Sequence, residues 1–230
     1  MINNEIKTPR MRTIPKAYKE IKKLDSETSF SMRALRRMCA DKEIPTIKVG
    51  NKTLLNLDVL IQTLSGENIY MNMISRAKDY VYIFTPYLII DNEMMTALTY
   101  AAKRDVDVKL ILPGIPDKKS AFMLARTYYP ELIQAGVKLY EYTPGFVHAK
   151  VFSSDDEKAV VGTINLDFRS LYLHFECATF FYKSNTIKSV ENDFQNTLLK
   201  CKLVTMEDYK KLNIFYKIGG GILKLIAPLM

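Results

Sequence analysis

With 230 residues, 48% of them apolar and 25% charged, the chain can bury one large core or two modest ones and has the balance of a globular protein. Three scattered cysteines, Cys39, Cys177 and Cys201, argue against a disulfide framework, and no apolar run approaches the roughly 18 residues of a membrane span. With no apolar signal segment in MINNEIKTPRMR, the expected location is cytoplasmic. The net charge of +8 is unevenly spread: residues 1–65 hold 13 Lys and Arg against 7 Asp and Glu, and the remainder 20 against 18. That skew predicts a separate basic module over 1–65 and a second domain over 66–230.

In chain order, TIPKAYKEIKKL predicts a helix with Thr13 as cap and Pro15 in its first turn. After the polar break DSETS, SFSMRALRRMCADKE predicts a second helix capped by Ser29 or Ser31. Leu35, Met38 and Cys39 share one face of it, and Arg33, Arg36 and Arg37 lie largely off that face. IPTIKVGNKTLLN alternates about Gly50-Asn51, a two-residue hairpin signal, and NLDVLIQTL follows as a helix from Asn56. This order resembles the winged helix-turn-helix modules of excisionase and MerR-type proteins. The resemblance implies DNA contact through Arg33, Arg36 and Arg37, with Lys48, Asn51 and Lys52 on the wing. Solvated charges on a small adaptor fold are the alternative.

From Gly66 onward helices and strands alternate, which predicts an α/β sheet flanked by helices. ENIYMNMISRAKD predicts a helix, YVYIFTPYLII one continuous central strand, and NEMMTALTYAAKRD a helix. VDVKLILPG is the next strand, KKSAFMLARTYYPELIQAG a single helix ending at Gly136, and VKLYEY a further strand. FVHAKVF and KAVVGTI are strands joined by the turn SSDDE, with ECATFFY one more strand and VENDFQNTLLKC one more helix.

On a strand His148 and Lys150 project from one face, while Val147, Ala149 and Val151 point into apolar packing. Two groups able to carry positive charge on one face of an apolar strand call for an anion. Gly162, Thr163 and Asn165 at the exit of the neighbouring strand add a turn, a hydroxyl and an amide, a set suited to a tetrahedral oxyanion such as phosphate. No metal-ligand spacing and no nucleophile elbow are present, so no metal or other cofactor is expected.

His148, Lys150, Asp155, Gly162 and Asn165 fit HxK-x4-D-x6-G[ST]xN, and residues from Gly66 on resemble the C-terminal half of bacterial cardiolipin synthases of the phospholipase D superfamily. The resemblance implies phosphatidyl transfer on an anionic phospholipid, phosphatidylglycerol, through a phosphohistidine. It makes His148 nucleophile or general acid, and Lys150 and Asn165 phosphate ligands assisted by Thr163. Glu176 would be the acid orienting a histidine, Asp155 either catalytic or a loop brace, and His174 plain. Those enzymes carry two such motifs and this chain has one, which implies a homodimer or a partner supplying the second. The tail IFYKIGGGILKLIAPLM reads either as a peripheral membrane contact or as a packed C-terminal helix. A DNA-targeted phosphodiesterase and an inactive fusion fragment are the competing functional readings.

Overall fold

A computed structural model describes residues 9–24, 31–63, 66–173 and 176–227. The chain divides into two units, Met1–Ile69 and Tyr70–Met230.

In the first unit, β1 (Met11–Thr13) runs straight into α1 (Ile14–Leu24), with Pro15 in its first turn, where a missing N–H costs nothing. α2 (Met32–Ala40) starts at Ser31, whose Oγ accepts the N–H of Ala34 at 3.1 Å. Ser29, the other serine considered as cap, and the break DSETS lie outside the described residues. β2 (Thr46–Val49) and β3 (Lys52–Asn56) pair antiparallel with Val49 opposite Lys52, leaving Gly50-Asn51 as the hairpin loop. Gly50 takes a φ of +57° there, a conformation that suits glycine. β1 adds to the other side of β3, a third strand that the local pattern did not announce. α3 (Leu57–Thr63) begins at Asn56, whose Oδ1 accepts the Asp58 N–H at 2.9 Å. Ala17, Leu35, Ile44, Leu55 and Leu60 are fully buried. Arg33, Arg36, Lys48, Asn51 and Lys52 are exposed, and Arg37 is half-buried.

The second unit is built on a seven-stranded mixed sheet. After α4 (Gly66–Arg76) come β4 (Tyr80–Phe84), β5 (Leu88–Ile89), α5 (Asn92–Lys103) and β6 (Asp107–Pro113). Next are α6 (Lys119–Ala125), α7 (Tyr129–Gln134), β7 (Lys138–Tyr142), β8 (Val151–Ser154), β9 (Lys158–Gly162) and β10 (Leu166–Asp167). A π-turn at Arg169–Leu173 precedes β11 (Ala178–Tyr182), α8 (Thr186–Leu198), β12 (Cys201–Leu203), α9 (Met206–Lys210) and α10 (Ile214–Leu225). The strand order is β11-β9-β8-β4-β6-β7-β12, with β4, β6 and β7 mutually parallel and the other pairs antiparallel. This is the flanked α/β sheet that the alternation predicts.

Three elements depart from the sequence reading, and two do so because of proline. YVYIFTPYLII is not one strand: the chain leaves the sheet at Thr85-Pro86, and Leu88–Ile89 pairs instead with β10 in a separate two-stranded sheet. Proline has no N–H for a central ladder. The helix expected to run on to Gly136 is two, because Pro130 in an uninterrupted helix would clash with the carbonyl of Arg126. The third departure is β8, which starts only at Val151, so His148 and Lys150 lie in the irregular segment before the strand.

One sheet face packs Tyr82, Phe84 and Ile111 against Phe194 of α8, and the expected inward residues Val147, Ala149 and Val151 join that cluster. On the other face Phe152 stacks on Tyr70 of α4 with ring centroids 3.9 Å apart. The turn between β8 and β9 has positive φ at both Asp155 and Asp156, with the Glu157 N–H bonded to the Ser154 carbonyl. From there the Asp155 carboxylate accepts the backbone N–H groups of Lys78 at 2.9 Å, Asp79 at 3.0 Å and Tyr80 at 3.0 Å. Removing that acceptor in Asp155→Ala leaves three donors to water and is expected to cost about 2 kcal/mol in urea unfolding.

Candidate active site

The hairpin of β8 and β9 brings the two halves of the motif side by side. Val151 pairs with Val161, and one bond beyond it the Gly162 N–H donates to the Lys150 carbonyl at 3.2 Å. The HxK segment therefore runs beside the start of GTIN. Lys150 Nζ donates to the His148 carbonyl at 2.8 Å and lies 2.9 Å from Nδ1 and 3.0 Å from Nε2 of the same residue. An equal approach to both ring nitrogens singles out neither lone pair. His148 itself is exposed, with the Phe146 ring 5.5 Å away. Desolvation pushes the Lys150 ammonium below the usual lysine pKa range, opposed by the charges of Glu176 and then Asp167. Both carboxylates thus act on the lysine that faces His148.

Thr163 is locked to the segment before β11. Its N–H donates to the Cys177 carbonyl at 2.9 Å, and its Oγ1 accepts the Cys177 N–H at 3.0 Å. The same hydroxyl donates in a short bond to the Glu176 carboxylate. Glu176 makes no hydrogen bond to His148 among the described residues, so the orienting role expected of it is not exercised on this chain's own imidazole. His174 lies outside the described residues. Asn165 donates through Nδ2 to Ser170 Oγ at 2.9 Å, while its Oδ1 is buried with no partner among the described residues. A half-turn of the amide exchanges the two atoms in the same space. Ser170 then donates to Oδ1, and the NH2 points where the unpaired oxygen was, a donor for a ligand oxygen.

Asp155 is drawn elsewhere. It lies at the opposite end of β8 from Lys150, with its carboxylate on the backbone of Lys78, Asp79 and Tyr80. Its position matches the loop brace, one of the two roles open to it. In its place the fold brings up Asp167, which sequence reasoning missed. Asp167 is buried in β10, accepts the Ser170 N–H at 2.7 Å, and lies two residues from Asn165 in an extended segment. That i, i+2 spacing was the available signal. Asn165, Asp167 and Glu176, together with Tyr87, Lys118 and Arg169, line an open cavity of about 340 Å³. Acceptors and cations on one wall suit a polar group attached to a phosphate.

Gly162 is the tightest point of the assembly. A Cβ there would lie 2.3 Å from the Cys177 carbonyl oxygen and 2.5 Å from the Ala178 Cα, both backbone atoms that cannot step aside singly. Gly162→Ala is expected to push β11 off β9, costing about 2 kcal/mol or more in urea unfolding. Lys150→Ala, which empties a half-exposed position, is expected to leave the unfolding midpoint nearly unchanged.

Residues 70–198 match the family model described as "Cardiolipin synthase, PLD-like domain". An uncharacterized protein of Streptococcus mutans is 58% identical over 165 residues, covering 72% of this chain and 36% of the relative. A cardiolipin synthase of Clostridium perfringens is 43% identical over 164 residues, 71% of this chain and 34% of its own. The chain thus spans about a third of the length of these relatives. Among solved structures, the phospholipase D family member Nuc of Salmonella typhimurium superposes with a TM-score of 0.52 at 21% identity, over 60% of this chain and 90% of that one, a likeness of fold. With more than half of its residues inside the family model, the chain belongs to the cardiolipin synthase, phospholipase D-like domain family.

Proposed function

We propose that the second unit is half of a phosphatidyltransferase site, with His148 as the group that reacts at phosphorus. The observation that carries the reading is the Lys150 ammonium held against His148 beside Thr163, Asn165 and a cavity edged by charged side chains. In this reading Lys150 and the Asn165 amide hold the non-bridging phosphate oxygens, and Thr163 fixes Glu176 near the lysine. Two carboxylates beside one ammonium favour a phosphodiester, with its single negative charge, over a phosphate dianion.

The reaction divides into two displacements. An imidazole nitrogen of His148 attacks the phosphorus of phosphatidylglycerol, and the P–O bond to the glycerol headgroup breaks. The departing oxygen takes a proton from a second histidine. A hydroxyl of another phosphatidylglycerol then attacks the phosphohistidine and gives its proton back to that second histidine. The P–N bond breaks, releasing cardiolipin. The second histidine is the same residue of another copy of this chain, or one supplied by a partner.

Purified protein with phosphatidylglycerol is expected to yield cardiolipin and free glycerol, with His148→Ala reducing the rate by about 1,000-fold or more. In an exchanged one-to-one mixture of the two proteins at fixed total chain, activity is expected to fall to about one quarter if the site is shared, against about one half for self-sufficient chains. Absence of product at every protein concentration would refute the transferase reading.

For the first unit we propose a winged helix-turn-helix that contacts DNA through α2 and the hairpin of β2 and β3. The supporting observation is that Arg33, Arg36, Lys48 and Lys52 are exposed while Leu35, Met38 and Cys39 of the same helix are buried. Binding to duplex DNA is expected to weaken as salt rises and to weaken at fixed salt in Arg33→Ala/Arg36→Ala. No binding at low salt overturns it.

A further inference from the structure

The geometry points to α10 as the surface by which this chain seats on an anionic lipid bilayer. The helix has two opposed faces. On one, a Cβ at Gly220 would meet Thr127 Cγ2 at 2.7 Å and the Met123 carbonyl at 2.9 Å, and a Cβ at Gly219 would meet Met123 Sδ at 3.1 Å. The helix backbone therefore lies directly against α6 and the turn that follows it. Such an approach tolerates only glycine, which explains why a poor helix former occupies the middle of this helix.

On the other face Phe215 is 78% exposed, Ile218 54%, Ile222 61% and Leu225 82%, with Ile214 and Ile226 exposed at the ends. The spacing i, i+3, i+7, i+10 makes them one stripe, about 15 Å long at the helical rise per residue. A soluble surface carries scattered apolar residues, but an unbroken line of four with two more at its ends needs an occupant.

Charge selects the occupant. Residues 214–227 contain Lys217 and Lys224 and no Asp or Glu. Lys217 bonds the Lys210 carbonyl at 3.0 Å and lies over the Tyr209 ring, and Lys224 lies over the Tyr128 ring. A second copy pressed stripe to stripe would supply no carboxylate from either helix to answer the lysines at its flanks. An anionic bilayer offers hydrocarbon for the stripe and negative headgroups for the lysines. The position also suits a lipid substrate, and to that extent the inference rests on the transferase reading. Ser120 and Ala121 of α6, the helix under α10, line the cavity beside Asn165 and Glu176. A bilayer against the exposed stripe is then separated from the cavity by α10 and α6, at most about two helix diameters.

The test is flotation of the full chain with vesicles of phosphatidylcholine alone and of phosphatidylcholine with about 30% phosphatidylglycerol. Wild type is expected to bind the anionic vesicles at least tenfold more tightly, the preference shrinking as salt rises. Ile218→Glu/Ile222→Glu, at exposed positions that melt as wild type, is expected to lose about tenfold or more in binding to both vesicles. Lys217→Gln/Lys224→Gln is expected to abolish only the anionic preference. His148→Ala is expected to bind as wild type does, and vesicle binding by wild type without turnover refutes the transferase reading and leaves this one standing. The inference is overturned if wild type stays with the unbound fraction or if the glutamate variant binds unchanged. It is equally overturned if that variant turns a dimer into a monomer with vesicle binding intact, which would assign the stripe to a second copy.

Discussion

Three backbone N–H groups at the start of β4 converge on the single carboxylate of Asp155, and the rest of the candidate site depends on that convergence. The carboxylate pins one end of the β8–β9 hairpin to the central strand. Strand register runs in twos, so a slip of one residue would turn Phe152 away from Tyr70 and reverse every side chain along β8. With the far end pinned, the near end can emerge in only one place, beside Gly162. An acid in the motif can thus shape the candidate site without approaching it.

At the near end a second constraint takes over. Gly162 allows β9 and the segment before β11 to approach within backbone contact, and Thr163 closes that approach with bonds to Cys177 in both directions. Glu176 is carried on the same segment, so a steric requirement at a glycine becomes an electrostatic property of Lys150. Desolvation alone would favour loss of the lysine proton, and the charges of Glu176 and Asp167 act to retain it.

Much of this was legible from residue order, and the failures have local causes. Gly50-Asn51 announced its hairpin because few residues accept positive φ, and Ser31 announced a helix start because its hydroxyl replaces a missing carbonyl. The motif placed His148, Lys150, Gly162, Thr163 and Asn165 together although the segment before β8 is irregular. Pro86 and Pro130 were visible breakers outvoted by long apolar runs, an error of weighting. β1, β10 and Asp167 belong to a different class. Their pairing partners lie far away in sequence, and short strands have too few residues for a period to register. Asp155 shows the limit from the other side: spacing can fix which residue belongs to a motif without saying which end of a strand it serves.

In an in-line displacement the bond being made and the bond being broken lie on opposite sides of phosphorus. The group that protonates the leaving oxygen must therefore face His148 across the phosphate, some ångströms out from the surface on which His148 is exposed. Lys150, Thr163 and Asn165 all approach from the His148 side, through the β8–β9 hairpin and its continuation. In the proposed transfer, the elements that hold His148 are thus committed to one half of the trajectory. Under the proposed mechanism, a proton donor for the other half has to be mounted on a different scaffold, and a second sheet of the same design meets that requirement with the least new structure.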